Sequence, residues 1–411
     1  LNAVILGYEL DTNGQNARFT DASRRHGGNE RVLKAMAIGD VDPGGVVARF
    51  QEASVRNDAG LTIRSAHRQS AYFDFPTDIL WTKETEPEIA RLVNDADVLH
   101  LNNSWRPADY WRKHPSTRSR FVRKPPMLLH HHGSLFRSNP EKMLAMAKTR
   151  KMQQCVSTID LQRPAPDLLP WLPTAYNIDE IVAFGQRHAR KPDGKVRIVH
   201  CPTNRKLKHT ELLIRACDEL QAEGSNLELV IVEGKTWRES LLAKAGADIV
   251  YDQLAFGYGC NSVEAWSLGK PVIAGADEWT LDRMAHLWPA IPFEEATEKT
   301  LKDVVRRMVA SEALREDAAE RGHGHVRRYH DELPALERLA ELYRDAINFR
   351  KKPRVHGKGV TFHSATRRSM TVDGQVVEFV KGHAVVTDME VVRQLREFTT
   401  KRPMFGIEEL T

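Results

Sequence analysis

The feature that most constrains this sequence is an alternation that runs along the chain twice. Short apolar runs of strand length are separated by stretches with apolar residues at helical spacing. In the first half, Ala3–Gly7, Ala96–Leu101 and Met127–His130 read as buried strands, with Val156–Asp160 as a further candidate. In the second half, Val196–His200, Leu227–Val232, Asp248–Tyr251 and Pro271–Ala274 read the same way. Between them, Glu211–Gln221 places Leu212, Leu213, Ala216 and Leu220 on one helical face, and Ser240–Ala245 and Val263–Leu268 read as helices. Strands alternating with helices predict parallel sheets covered by helices on both faces. The fold class expected is therefore α/β, with two Rossmann-like domains.

The boundary falls near 177–195, where Asn177-Ile178-Asp179 closes the first half and Arg187–Lys195 is polar with Pro and Gly. Helical patterns then continue from about Leu301 to Phe349. Arg350–Gly359 is basic and rich in helix breakers, so it reads as a linker. Beyond it, Met370–Val372, Asp373-Gly374 and Val376–Val380 read as strand, turn and strand of a hairpin. Thr387-Asp388 then caps a helix through Val391, Leu395 and Phe398. The domains expected are 1–180, 181–350 and a small α+β appendage at 351–411.

Composition narrows the function classes. With 41% hydrophobic and 28% charged residues over 411 positions, the chain can bury ordinary cores. No apolar run approaches the roughly 18 residues of a membrane span. The opening LNAVILGYEL reads as a first strand rather than a signal peptide. Cys155, Cys201, Cys217 and Cys260 lie far apart with no CxxC spacing, so neither a zinc site nor a disulfide framework is indicated. A reducing cytoplasm is the compartment expected. The net charge of +5 is mild.

Two loops carry chemistry. In the first, Gly257 and Gly259 follow a strand end, and Asn261-Ser262-Val263-Glu264 opens a helix. Glycines let backbone approach a ligand, and a helix N-terminus offers free N–H groups and positive potential to a diphosphate. A glutamate there can accept from ribose hydroxyls. In isolation the loop also suits a tight turn with a solvated glutamate. The second loop, His200–Thr210, follows the strand VRIVH and carries Arg205 and Lys208 just before a helix. Two cations there would neutralise a departing diphosphate. A basic surface loop is the alternative, but two such loops in neighbouring βα units favour one shared anion.

These segments together resemble the donor domain of retaining GT-B glycosyltransferases of family GT4. That family has a Pro-x-x-Arg…Lys-Gly-Thr loop, matched here by Pro202, Arg205, Lys208 and Thr210. It also has a glycine turn leading to Glu-Ala-Met…Gly-x-Pro-Val, matched by Glu264-Ala265, Gly269, Pro271 and Val272. Asp252-Gln253 fits one branch of it. In the first half, Met127–Arg137 (MLLHHHGSLFR) resembles the family's strand-His-Gly turn, and Val156–Leu161 with Trp171–Pro173 resembles the end of its N-terminal domain. The likeness spans roughly 1–350. It implies two domains facing a cleft.

The resemblance also implies roles. Arg205 and Lys208 would hold the diphosphate, Glu264 the ribose, and the N–H groups of Ser262 and Val263 would assist. Gly257, Gly259, Asn261 and Asp252 complete the donor set. His132 would face the reacting sugar. The three histidines His130–His132 alternate faces on a strand, so only some of them reach a cleft, and a structural role is the alternative. The donor would be a nucleotide sugar such as a UDP- or GDP-sugar. The resemblance implies metal-independent transfer and no cofactor. Three departures stand out: Phe256 occupies the usual acidic position eight residues before Glu264, His209 replaces a glycine, and Trp266 replaces a methionine.

The acceptor side is read from Gly14 and Gln15, as the first βα turn, and from Arg106–Lys124. That stretch holds seven Arg or Lys and one Asp, with Tyr110, Trp111 and Phe121 between them. Arg112, Lys113, Arg118 and Arg120 are its central cations. Basic residues interleaved with aromatics suit a nucleic-acid backbone, and a solvated loop is the alternative. The appendage resembles small modules of bacteriophage proteins, and a plain dimerisation or stability role suits it equally. The acceptors expected are hydroxymethylated DNA or a phage virion protein. A non-catalytic nucleotide- or nucleic-acid-binding protein on the same frame is the rival reading.

Overall fold

The computed structural model describes residues 32–40, 42–68, 75, 77–102 and 125–351. It also describes five strands between 360 and 410, with Val391 and Leu395. Two compact units divide between Phe349 and Arg350. The expected strand Ala3–Gly7, the turn at Gly14 and Gln15, and the basic stretch Arg106–Lys124 lie outside the described residues.

The first sheet is built from β1 (Leu33–Gly39), β2 (Leu61–His67), β3 (Ile79–Leu80), β4 (Val98–Asn102), β5 (Met127–His131) and β6 (Gln153–Val156). Its order is β3-β2-β1-β4-β5-β6, and every pairing is parallel. Helices α1 (Val46–Arg56), α2 (Glu86–Asp95), α3 (Gly133–Ser138) and α4 (Pro140–Arg150) connect these strands. The pleat explains β1. Ala35 and Ala37 face one apolar cluster with Val46 and Phe50, while Met36 and Ile38 face another with Ile89 and Val93. A strand covered on both faces reads as a continuous apolar run. The candidate strand Val156–Asp160 is corrected: β6 ends at Val156, and Ile159–Gln162 is a 3-10 turn.

The chain enters the second sheet through α5 (Ile178–Arg187), whose Asn177 side chain caps it by accepting from Glu180 N. There follow β7 (Val196–His200), α6 (Thr210–Ala222), β8 (Leu227–Ile231), α7 (Trp237–Ala245), β9 (Ile249–Tyr251), β10 (Phe256–Gly257), α8 (Cys260–Ser267), β11 (Val272–Ala276), α9 (Glu278–Leu287) and β12 (Glu294–Glu295). The order is β10-β11-β9-β7-β8, with β12 beside β11. All pairings are parallel except β10–β11. Ile198, Ile249 and Ile273 pack beneath α6 and α10 (Leu301–Ala310), while Val199, Val250 and Val272 pack against α8 and α5.

Helices α11 (Glu312–Tyr329) and α12 (Glu332–Lys351) complete this unit. The expected range 181–350 is not packed wholly around the second sheet. Leu336, Leu339 and Tyr343 of α12 lie in the first sheet's core with Phe50 and Leu128. The crossings between the halves run side by side, since Tyr176 N donates to His330 O at 2.8 Å and Tyr176 bridges Asp331. Arg56 and Asn57 of the first half both donate to Glu332, at 2.7 Å each, and anchor the start of α12.

The second unit pairs β14 (Ser369–Val372) with β15 (Gln375–Glu378), the expected hairpin, and sets Met370 opposite Val377. It adds β13 (Val360–Ser364), β16 (His383–Val386) and β17 (Ile407–Leu410) as an antiparallel sheet in the order β16-β13-β17. Val391 and Leu395, four apart on the expected helix, are buried. Among the described residues no helix is long and apolar enough to cross a membrane.

One packing contact fixes the helix that follows the glycine turn. A Cβ on Gly322 of α11 would lie 2.0 Å from the ring of Trp266 on α8, which is fully buried. Alanine normally stabilises a helix interior by about 1 kcal/mol over glycine. Overpacking here reverses the sign, so Gly322→Ala is expected to destabilise the protein by about 1–2 kcal/mol in urea unfolding. A raised midpoint would contradict the packing.

Candidate functional site

Strand order decides where a ligand can lie. Each sheet reverses its winding at one place, between β1 and β4 in the first and between β7 and β9 in the second. Open α/β sheets bind ligands outside the carboxyl ends of the strands there. The residues at those ends are Gly39 to Gly45 and Asn102 in the first half, and His200 to Thr210 and Asp252 in the second.

Asp252 organises the second-half loop. It is fully buried, and its two oxygens divide the work. Oδ1 accepts from Lys208 Nζ at 2.5 Å. Oδ2 accepts from Gly259 N at 3.1 Å and from Ser262 Oγ at 2.7 Å. Burial raises this carboxyl's pKa, but the Lys208 charge and the donors outweigh it and leave it below the ordinary carboxylate value. Four expected residues thus converge on one cluster. His200 locks the loop from below: its Nδ1 donates to Tyr251 O at 3.0 Å, so Nε2 accepts from Thr210 Oγ1 at 2.8 Å. Gly257 has a φ of +80° and a Cβ there would strike Met284 at 2.2 Å, which accounts for glycine at the turn.

Two details differ from the expectation. The N–H groups of Ser262 and Val263 both donate to Gly259 O, at 3.0 and 3.2 Å. The groups open to a ligand are those of Cys260 and Asn261, which have no acceptor within the helix. Asn261 Nδ2 is buried beside them without a partner among the described residues. Arg205 is exposed and apart from Lys208. Glu233 and Glu211 grip it at 2.9 and 2.7 Å and hold its pKa above the ordinary value.

Glu264 is buried in a network that joins the halves. Oε2 accepts from Lys244 Nζ at 2.5 Å, and Oε1 accepts from Trp237 Nε1 at 2.9 Å. Tyr176 OH and Arg49 Nη2 each lie 3.5 Å from Oε1. Arg49 comes from α1 and stacks on Tyr176 at 4.0 Å, with Phe75 and Trp237 at 4.7 and 4.9 Å. Burial works against the Lys244 ammonium, but the Glu264 charge outweighs it and raises its pKa.

On the first-half side, the turn after β1 carries Gly44 and Gly45 at φ +67° and +68°. A Cβ on Gly44 would lie 3.3 Å from Cys260 Sγ, so this turn meets the start of α8 across the cleft. Asp42 precedes it, fully buried, and accepts from Val47 N, Ala48 N and Asn102 Nδ2, each at 3.0 Å. Burial raises its pKa against those donors and the nearby His67. His132 is buried at the end of β5, just before α3. Arg137 of α3 lies 4.0 Å over the Phe256 ring, which brings the strand-His-Gly turn to the glycine turn of the second half. The other two histidines of the run turn inward: His131 meets Gln154 at 2.8 Å, and the His130 ring lies tilted against His132 with centroids 4.0 Å apart. Burial lowers the pKa of His132 to about 3.

Pattern reading missed Gly44, Gly45, Asp42, Arg49 and Lys244. The signal for the first three was present: an apolar run ending at Gly39, then Asp42-Pro43-Gly44-Gly45 before a helix. Arg49 and Lys244 carried no local signal. Gly14, Gln15, Arg112, Lys113, Arg118 and Arg120 lie outside the described residues.

No protein-family model and no curated protein matches this chain. Solved structures do. HepE from Anabaena in complex with UDP matches with a TM-score of 0.52 at 12% identity, over 76% of this chain and 100% of that one. The same protein with UDP-glucose gives 0.53 at 11%, over 76% and 100%. A glycosyltransferase from Rickettsia africae gives 0.52 at 10%, over 77% and 99%. The likeness establishes the fold: two Rossmann-like halves about a cleft, the GT-B arrangement.

Two outcomes follow from the buried charges. Glu264→Ala strands Lys244 and is expected to cost about 3–5 kcal/mol, whereas adding Lys244→Met recovers most of it. Denaturant unfolding of both variants checks this, and a double variant no more stable than the single one would contradict the pairing. Burial also lowers His100 to about 3, and His131, His200 and His330 to about 4. The unfolded chain takes up protons near pH 6.5 while these folded imidazoles stay neutral. Stability is therefore full above pH 6.5 and falls towards pH 4, by about 1.4 kcal/mol per pH unit for each such histidine. A denaturation midpoint that is flat from pH 7 to 5 would contradict it.

Proposed function

We propose that this chain transfers a sugar from a nucleotide-sugar donor to an acceptor hydroxyl, with retention of anomeric configuration. The observation that carries the reading is the Asp252 cluster. One buried carboxylate holds a cation and the glycine turn of a helix N-terminus together, at the switch point of the second sheet. The arrangement suits a diphosphate. Its oxygens would meet Lys208 and the N–H groups of Cys260 and Asn261, already oriented before any ligand arrives. As the sugar–phosphate bond breaks, negative charge grows on the diphosphate, and a preorganised cation and helix dipole stabilise it. The acceptor proton passes to the departing phosphate oxygen on the same face. His132, neutral at physiological pH, serves as a hydrogen-bonding group for the sugar rather than a charge. No metal is required of this scheme, since Lys208 and the helix end supply the positive potential.

Among the similar solved structures, HepE is complexed with UDP and with UDP-glucose, and another is a glycosyltransferase. They support a UDP-sugar as the first donor to try. For the acceptor we propose hydroxymethylated DNA or a virion protein, on the basic segments Arg106–Lys124 and Arg350–Lys358.

A second reading has its own observation. Glu264, the residue expected at the ribose, is already engaged by Lys244 and Trp237, and Phe256 leaves no acid eight residues before it. That favours a nucleotide-binding protein without turnover. Nucleotide binding with no transfer or hydrolysis from any common donor would select it.

Lys208→Ala is expected to lower donor affinity or turnover at least tenfold, about 1.4 kcal/mol. Wild-type behaviour in a folded variant would remove the site. Mass spectrometry of hydroxymethylated DNA and phage proteins incubated with mixed sugar nucleotides tests the acceptor, and label found only on lipid or small molecules would reject both candidates.

A further inference from the structure

A second concavity lies away from the donor loop, beside the paired crossings of the chain between the halves. It has a volume of about 500 Å³, within the range of small-ligand sites. Three aromatic rings form one part of its wall: Trp171, Trp288 and Tyr329, with Trp171 and Trp288 edge to face at 5.3 Å. Pro170 and Pro334 stiffen the opposite parts. Three arginines line it, Arg283, Arg328 and Arg338, with Asp167 the one acid among its lining residues and Glu341 paired to Arg338.

The three arginines differ in what already holds them. Arg283 spends Nε on Gln162 Oε1 at 3.0 Å. Arg338 donates to Trp171 O at 3.3 Å and to Glu341 at 2.9 Å. Arg328 is exposed, and its guanidinium sits 5.4 Å from the Tyr329 ring. The cavity thus keeps a positive balance beside flat apolar faces.

We propose that this cavity is a second ligand site, separate from the donor cleft, for an anionic monosaccharide: a hexose carrying a phosphate or a carboxylate. The aromatic faces take the apolar face of a pyranose ring, and the guanidinium forks take the anion in paired hydrogen bonds. A nucleic-acid backbone needs a long basic track, whereas these arginines line one concavity. An apolar peptide makes no use of three cations. The wall is drawn from both halves. Trp171 and Arg338 stand on the first-half side, and Trp288 and Arg328 on the second. A ligand here touches both beside the crossings, where His330 Nδ1 donates to Thr174 O at 2.9 Å. Trp288 also stacks 5.7 Å from Tyr258, which lies between Gly257 and Gly259 of the donor turn.

Calorimetric titration of the full chain, with UDP present at saturation in the donor cleft, tests the proposal. Glucose 6-phosphate and glucuronate are the probes, with glucose, inorganic phosphate and a proline-rich peptide as controls. At least one anionic sugar is expected to bind with one site per chain, at least tenfold more tightly than glucose or phosphate. Arg328→Ala and Leu287→Glu change exposed residues of the rim and are each expected to weaken that binding at least tenfold, leaving UDP affinity within twofold. No sugar binding, binding abolished by UDP, unchanged affinity in both variants, or occupation by the peptide instead would overturn the proposal. Failure of UDP itself to bind counts against the donor site alone and leaves the sugar titration readable.

Discussion

The contact on which the candidate site depends is the ion pair between Lys208 and the buried Asp252. A carboxylate with no exposure to water costs several kcal/mol unless its oxygens are fully engaged. Here Lys208, Gly259 N and Ser262 Oγ satisfy it together. The same contacts that make the burial tolerable also set the geometry: a loop after β7, a strand end at β9 and the first turn of α8 are pulled to one point. His200 holds that loop from beneath through Thr210, and Trp266 seats α8 against Gly322 of α11. A cation and two open backbone N–H groups end up on one side of a cleft because a carboxylate beneath them had to be paired.

The second organising contact joins the halves. Glu264 is shared by Lys244 and Trp237 of the second half, and Arg49 of the first approaches the same carboxylate while stacking on three aromatic rings. With the Gly44–Cys260 approach and the α12 return, this ties the two sheets into one compact unit. It also gives Glu264 a structural duty beside any duty to a ligand. A residue that holds its own core in the free protein must exchange contacts to meet a ribose, and Arg49 and Tyr176, both at 3.5 Å, are its loosest partners.

Much of this was legible in linear pattern. The parallel strands β4, β5, β7, β8, β9 and β11 appear as apolar runs because both faces of each are covered. The glycine turn and Lys208 were identified because a strand, a loop with cations or glycines and a helix follow one another within a few residues. What escaped was of two kinds. β1 and its Gly44-Gly45 turn carry a local signal, an apolar run followed by Asp-Pro-Gly-Gly, that pattern reading passed over. Arg49 and Lys244 had none, since an arginine or lysine on a helix reads as a solvated charge until its neighbours are known.

The sequence by itself determined the α/β class, the two-fold repetition of its winding and the loops at the carboxyl ends of the strands. Those properties are local, set by side-chain period and by what glycine and charged residues permit within a short stretch. Only the tertiary structure decided which charges meet. It tied Arg205 to two glutamates, aimed Glu264 inward at Lys244, turned His130 and His131 into the core, and formed a cavity of arginines and aromatics beside the chain crossings. Most such pairings are long-range, with partners tens to hundreds of residues apart, and their protonation and reach depend on burial that no short segment can specify.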